Sequence, residues 1–503
     1  MNPTENKTMQ CGCDAPVAGI GGEGAAATID ASCRVPLLAL FGGAALWLVL
    51  GLALGLAAVM TFHKPDMFAD CAFLTFGRAQ AAANDLLLYG FAIPAALGVM
   101  LWILARLSQA PLALPIVPVV AANLWHLGVF IGTATILGGG STGHPWLEYP
   151  RAAAVLLFAA FMLIAVCAVA TMGSRTNGEL YPSHWFFFAA ILWFVWSYGL
   201  ANIFLQSHQQ PRGVVQAVID WWLTNNLLFV WLALAGIGIA FYFLPKIAGK
   251  PLASRGYALF GLLTLVFFGS WVGIPQSAPV PAWLPTVSAY AGLLSLVSII
   301  AIAIVTKKTV CGACVKCSGG PFCFIKFGML SFVVSSLLYI SEFCPRYSRV
   351  LEFTWFNFGV TQWQLLGFAG MILCGAIYEI LPRVMGKELP FTKLAKLNFF
   401  LFAGGTLLFV IPLLIGGVEQ GMKLRDANIP FADASAVAMK FLRISTTGQL
   451  LVLLGALCLL LNILVMTLQW KLGLVKTVVG VVKDSLAEGS AYQPLPCDKE
   501  AKP

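Results

Sequence analysis

The stretch Trp221–Pro245, WWLTNNLLFVWLALAGIGIAFYFLP, decides the fold class. From Leu227 to Leu244 it carries no charged or amide side chain. A helix needs about 20 predominantly apolar residues to cross the hydrocarbon core of a bilayer. The strict apolar/polar alternation of a transmembrane barrel strand is absent. Working outward by the same rule places further spans at 36–62, 85–107, 112–137, 151–173, 185–206, 256–273, 286–305, 326–341, 357–381, 397–417 and 446–469. The composition agrees: 59% of the 503 residues are hydrophobic and 10% charged, against about 25% charged in a soluble domain. That excludes a soluble globule, a disordered chain and a collagen. No short-period internal repeat is visible. The expected fold is an all-α membrane protein of about twelve transmembrane helices.

Lys and Arg in short loops set orientation, because they are held back in the cytoplasm. With twelve spans both termini share a face, and 20 of the 30 Lys and Arg lie on it. Both termini are therefore expected in the cytoplasm. The net charge of +9 reflects this bias; no aromatic-interleaved basic patch accompanies it, so nucleic acid is not an expected partner and the lipid bilayer is. Three regions follow: a flexible cytoplasmic tail over 1–35, the bundle over 36–469 and a cytoplasmic tail over 470–503. The first 35 residues lack the uninterrupted apolar core of a signal peptide. Lys471–Lys483, KLGLVKTVVGVVK, reads as a short interfacial helix after the last span.

Of the 13 cysteines, Cys71, Cys167, Cys374 and Cys458 lie in or beside spans, where cysteine acts as a small apolar residue. Cys311, Cys314, Cys317 and Cys323 differ, forming CGACVKCSGGPFC in the basic loop 306–325. Two successive C-x-x-C spacings let thiolates converge on zinc or an iron–sulfur cluster. The five-residue spacing before Cys323 does not fit a ferredoxin run, so a redox-sensitive or simply tolerated cluster is the other reading. Cys11, Cys13 and Cys33 are on the same face.

A series of local strings resembles one family, subunit I of haem–copper oxidases in its C-type (cbb3-type) branch. These are FHKPDMFADCAFLTFG at 62–77 followed by Arg78, SHWFFFAAILWFVWSY at 183–198, Trp221–Pro245 followed by Lys246, FGSWVGIPQSAPVPAW at 268–283, LPRVMG at 381–386 and GGVEQG at 416–421. Their order and spacing hold from about residue 34 to 468. The resemblance implies a twelve-span bundle in a bacterial inner (plasma) membrane, with a c-type cytochrome or other respiratory subunits as partners. It also implies six histidine ligands inside the bundle, three for two haems b and three for copper; neutral imidazole suits both metals.

None of the six matching positions here is histidine. Ala83 stands where the second span would carry a haem ligand, and Asn225 replaces a copper ligand in the sixth. Pro275 and Gln276 lie near the expected His-His pair. Val360 and Gln362 occupy the His-x-His of the tenth. The chain has only 5 histidines. His63, His144, His184 and His208 fall at span ends or in loops. His126 lies within a span, where one hydrogen bond to Asn123 or a backbone carbonyl would satisfy it. No cofactor is therefore expected in the bundle and no catalytic residue is assigned; haem b and copper would follow only if the family chemistry survived without these ligands. Asn225 and Gln362 are expected close together, lining a wet cavity with Thr224 and Gln364 or forming an interhelical hydrogen-bond network. Asp85 and Asp220 read as solvated carboxylates near span ends. Two functions stand: a cofactor-poor structural or regulatory subunit of a respiratory membrane complex, or an active terminal oxidase or nitric-oxide reductase subunit in electron transport.

Overall fold

The computed structural model describes residues 22–176, 178–206, 211–311 and 319–490. Apolar runs in lipid must satisfy their backbone groups internally, and helices do so within one segment. Among the described residues the long helices are α1 Gly22–Met60, α2 Phe76–Ser108, α3 Ile116–Leu137, α4 Arg151–Gly173, α5 Pro182–Leu205, α6 Val214–Ala248, α7 Arg255–Gly269, α8 Trp283–Val310, α9 Pro321–Glu342, α10 Trp355–Met385, α11 Thr392–Leu424 and α12 Phe431–Ser490. Eleven of them are long and apolar enough to cross a membrane; α7, fifteen residues long, is a shorter apolar helix at the expected seventh position. No strand is present among the described residues.

The apolar windows of α2 and α6 are completely buried and that of α10 is 89% buried, while those of α1, α3, α8, α11 and α12 are 44% buried. The half-buried helices therefore ring a centre made of α2, α6 and α10. Each central helix is interrupted by a π-helical stretch, at Leu86–Ala92, Asn225–Trp231 and Trp363–Gly370. A π turn widens the i→i−4 ladder to i→i+5 bonding and re-aims the side chains beside it. Asp85, Asn225 and Gln362 sit at the start of these three stretches.

Two expected boundaries move. The segment 22–35, placed in the flexible tail, is the first part of α1. Asp30 and Arg34 both have partners in the bundle: Arg106 meets Asp30 at 2.7 Å, Trp102 Nε1 donates to Asp30 at 2.8 Å, and Arg34 Nε donates to the Val384 carbonyl. Ile29 and Cys33 pack in the core. A hydropathy reading stops at Asp30 and Arg34 because it cannot see their partners. At the other end, residues 471–483 continue α12 instead of forming a separate helix, within one element that runs to Ser490.

Candidate functional site

On α2, Ala83 is buried and faces α1, where its methyl lies in packing distance of Gly55. Its neighbour Asn84 accepts at Oδ1 from Gln80 Nε2 at 3.0 Å and from Gln362 Nε2 at 3.2 Å. Gln362 thus bridges α10 to α2. Asn225 is committed elsewhere: its Nδ2 donates to the Gly269 carbonyl at 2.9 Å, and Tyr339 O–H donates to its Oδ1 at 3.0 Å. Asn226 links α5 to α6, accepting from Trp193 Nε1 at 2.9 Å and donating to the Trp222 carbonyl. The two amides expected side by side therefore belong to different hydrogen-bond networks, one between α2 and α10 and the other among α6, α7 and α9. Val360 is fully buried in the core.

A cavity of about 320 Å³ opens where the α3–α4, α7–α8 and α9–α10 connections meet, on the face opposite the termini. Thr224, Gln364, Pro275, Tyr339, Glu342 and Asn357 are among its lining residues. Thr224 and Gln364 are thus at the cavity as expected, and Asn225 touches it through Tyr339. Gln276 lies at its rim, where its backbone N–H donates to Glu352 Oε1 at 2.6 Å and its Nε2 donates to the Pro285 carbonyl. Glu342 is 2% exposed and accepts from Asn357 Nδ2 at 2.7 Å. The sequence reading passed over Tyr339, Glu342 and Asn357. The signal was an acid at the end of the apolar run SSLLYISEF, three residues after a tyrosine.

Asp85 is fully buried, not solvated. It lies ten residues into α2, and the connection 138–150 folds over it. Tyr89 O–H donates to the Trp146 carbonyl at 2.5 Å, which pins that connection, and Trp125 Nε1 donates to the Tyr89 carbonyl, which ties α3 to α2. No N–H or hydroxyl donor among the described residues reaches either Asp85 oxygen. The group it faces is the Glu148 carboxyl, and two carboxyls hydrogen-bond each other only when one carries a proton. Burial pushes the Glu148 carboxyl up to about 7, against the lowering effect of Asp85 and nearby backbone N–H groups.

Asp220 pairs with His144, Nδ1 to Oδ2 at 3.1 Å, and both are largely removed from solvent. His184 is buried too: its Nδ1 accepts from the Tyr181 N–H at the start of α5. His63 bonds Thr446 at 3.0 Å. His126 accepts at Nδ1 from Trp47 Nε1 and reaches the Ala39 carbonyl through Nε2, each at 3.2 Å, so it ties α3 to α1. His208 lies outside the described residues. Glu379 and Arg383, four residues apart on α10, form an ion pair.

In the cysteine loop, Cys311 is free and exposed, and Cys323 is disulfide-bonded; Cys314 and Cys317 lie outside the described residues. Cys33 is free and buried, while Cys11 and Cys13 lie outside the described residues.

Against known proteins, residues 35–451 match the family model described as cytochrome c and quinol oxidase polypeptide I. The cbb3-type cytochrome c oxidase subunit CcoN1 of Stutzerimonas stutzeri is 23% identical over 398 residues, 76% of this chain and 82% of that protein. The cytochrome c oxidase subunit 1 of Rhodobacter capsulatus is 22% identical over 437 residues, 83% of this chain and 82% of that protein. Among solved structures, a chain from a cryo-EM structure of a heme-copper terminal oxidase dimer superposes with a TM-score of 0.69 at 14% identity, covering 86% of this chain and 84% of that one.

Proposed function

We propose, from the premise that this chain belongs to the cytochrome c and quinol oxidase polypeptide I family, that it is a cofactor-poor member acting as a structural or regulatory subunit of a respiratory membrane complex. One observation carries the reading: the side chains at the expected ligand positions do not fit haem or copper. Ala83 and Val360 have no lone pair to offer. The amides of Asn225 and Gln362 are weak donors to such metals, and both are engaged with protein partners. Pro275 cannot ligate through its side chain, and the Gln276 amide is bound to Pro285. His126 uses both ring nitrogens to join α1 and α3. No electron-transfer step is therefore derived through these groups.

The proposed setting is a bacterial plasma membrane with both termini cytoplasmic. The excess of Lys and Arg on the face of the termini supports that orientation. The partners proposed are a c-type cytochrome or other respiratory subunits, because the relatives are themselves cytochrome c oxidase subunits. A pyridine haemochrome assay on protein purified from membranes tests the reading. Folded protein without haem is the expected result. Two haems per chain would overturn it in favour of an active terminal oxidase or nitric-oxide reductase subunit. Zinc or an iron–sulfur cluster at Cys311, Cys314, Cys317 and Cys323 is a separate proposal, in which Cys323 must first leave its disulfide. Metal analysis before and after reduction, with Cys314→Ser and Cys317→Ser as controls, decides it.

A further inference from the structure

The bundle ends before α12 does. Phe391, just ahead of α11, donates its N–H to Asn462 Oδ1 at 3.2 Å, so the end of α11 on the face of the termini is level with Asn462. Lys471 lies nine residues further along α12, about 14 Å at 1.5 Å per residue. Beyond it, Leu472, Val475, Val478, Val479 and Val482 are 47% to 58% exposed. Lys471, Lys476 and Lys483 are exposed as well, and no acidic residue lies between 471 and 483.

At 100° per residue these side chains sort onto two sides of the helix. Leu472 and these valines share one arc, which Leu474 and Val481, 52% and 60% exposed, extend on one side; Lys476 and Lys483 border it on the other side, and Lys471 falls within it. Gly473, Thr477 and Gly480 lie opposite. The apolar arc continues the stripe Leu450, Leu454, Leu457, Leu461, Leu464 and Leu468, which is 42% to 56% exposed along the membrane-spanning part of the same helix. The side that meets acyl chains in the span thus stays apolar after the bundle has ended. Cβ atoms added at Gly473 and Gly480 would meet nothing within 4 Å, so close packing does not require these glycines. Gly473 falls where a bend would turn the apolar arc toward the bilayer, since helix interiors yield at glycine.

We propose that residues 471–483 dock on an anionic lipid surface at the face of the termini, bending at Gly473, with the valines in the acyl boundary and the lysines on lipid phosphates. An exposed apolar arc bordered by lysines, with no acidic residue between 471 and 483, is the pattern of an interfacial helix. A second copy paired along the same arc would set Lys476 and Lys483 of both chains beside one seam, where like charges repel.

The test uses the full chain in nanodiscs. A fluorescent amino acid is placed by codon reassignment at Val479 or at Thr477, which leaves the 13 native cysteines alone. In discs containing phosphatidylglycerol, brominated lipid is expected to quench the probe at Val479 and iodide the probe at Thr477. Each of Lys471→Gln, Lys476→Gln and Lys483→Gln is expected to lower the ratio of docked to undocked helix roughly fivefold, the equivalent of about 1 kcal/mol per basic residue near an anionic surface. Pure phosphatidylcholine is expected to act like the triple variant. Equal iodide quenching at both sites in both lipids would overturn the proposal. So would energy transfer between copies carrying donor and acceptor at Val479, which would assign the arc to a second chain.

Discussion

At the scale of single residues, a carboxyl inside an apolar helix is expensive, and Asp85 answers that cost by facing another carboxyl. The consequence is readable at Glu148, whose carboxyl burial raises from 4.5 to about 7. Below the lower value the group is protonated in both native and unfolded chains. Between the two values the unfolded chain has lost the proton and the native chain holds it. The contribution of this group to stability is therefore full below the lower value and is lost as pH rises through this window. The melting temperature in detergent is expected to drop from about pH 5 to about pH 8, and Glu148→Gln is expected to flatten that slope. An unchanged slope in the variant would mean another group is responsible. A second residue-scale test concerns Tyr339→Phe, which removes the donor to Asn225 Oδ1. Leaving that acceptor unsatisfied should cost about 1–3 kcal/mol in thermal or denaturant unfolding. The sequence pointed to Asn225 and Gln362 through the positions they occupy. It did not point to Glu148 or Glu342, because burial of an acid in a loop or at a span end depends on what folds over it.

At the scale of elements, helix positions were legible and helix irregularities were not. Hydropathy locates a span because transfer to hydrocarbon is summed over some twenty residues. A π stretch changes one hydrogen-bond register and leaves hydropathy untouched, so the three interruptions in α2, α6 and α10 left no mark in the pattern. The α11–α12 hairpin shows a different local device. A Cβ added at Gly405 would meet the Val452 nitrogen at 2.8 Å and the Gly448 carbonyl at 2.9 Å, and one added at Gly448 would strike the Phe409 backbone. Small residues let the two backbones approach, which is how helices associate in lipid. Gly448→Leu is expected to lose about 1–3 kcal/mol or more by overpacking, seen as a lowered aggregation temperature. Gly404→Leu, one residue from Gly405 and open on its side, is expected to behave as wild type.

At the scale of the whole molecule, the twelve long helices among the described residues place three buried ones inside nine that are more exposed. The distribution of Lys and Arg predicts which face is cytoplasmic. Reporter fusions check this: alkaline phosphatase joined after residue 470 is expected to be inactive and joined in the connection 425–430 to be active, with the reverse pattern overturning the orientation. Segment 22–35 belongs to the same scale, since Asp30 joins α1 to α2 through Arg106 and Trp102. Asp30→Ala is expected to cost about 1.5–3 kcal/mol per lost charged hydrogen bond, measured by thermal unfolding in detergent. By itself the sequence determined the fold class, the spans and the family resemblance, because apolar length, loop charge and local motifs are properties of contiguous residues. It also showed that the whole chain holds only 5 histidines. Only the tertiary structure decided which polar groups pair, where Asp85 finds Glu148, and how far α1 and α12 extend, because each of these depends on partners brought together from distant parts of the chain.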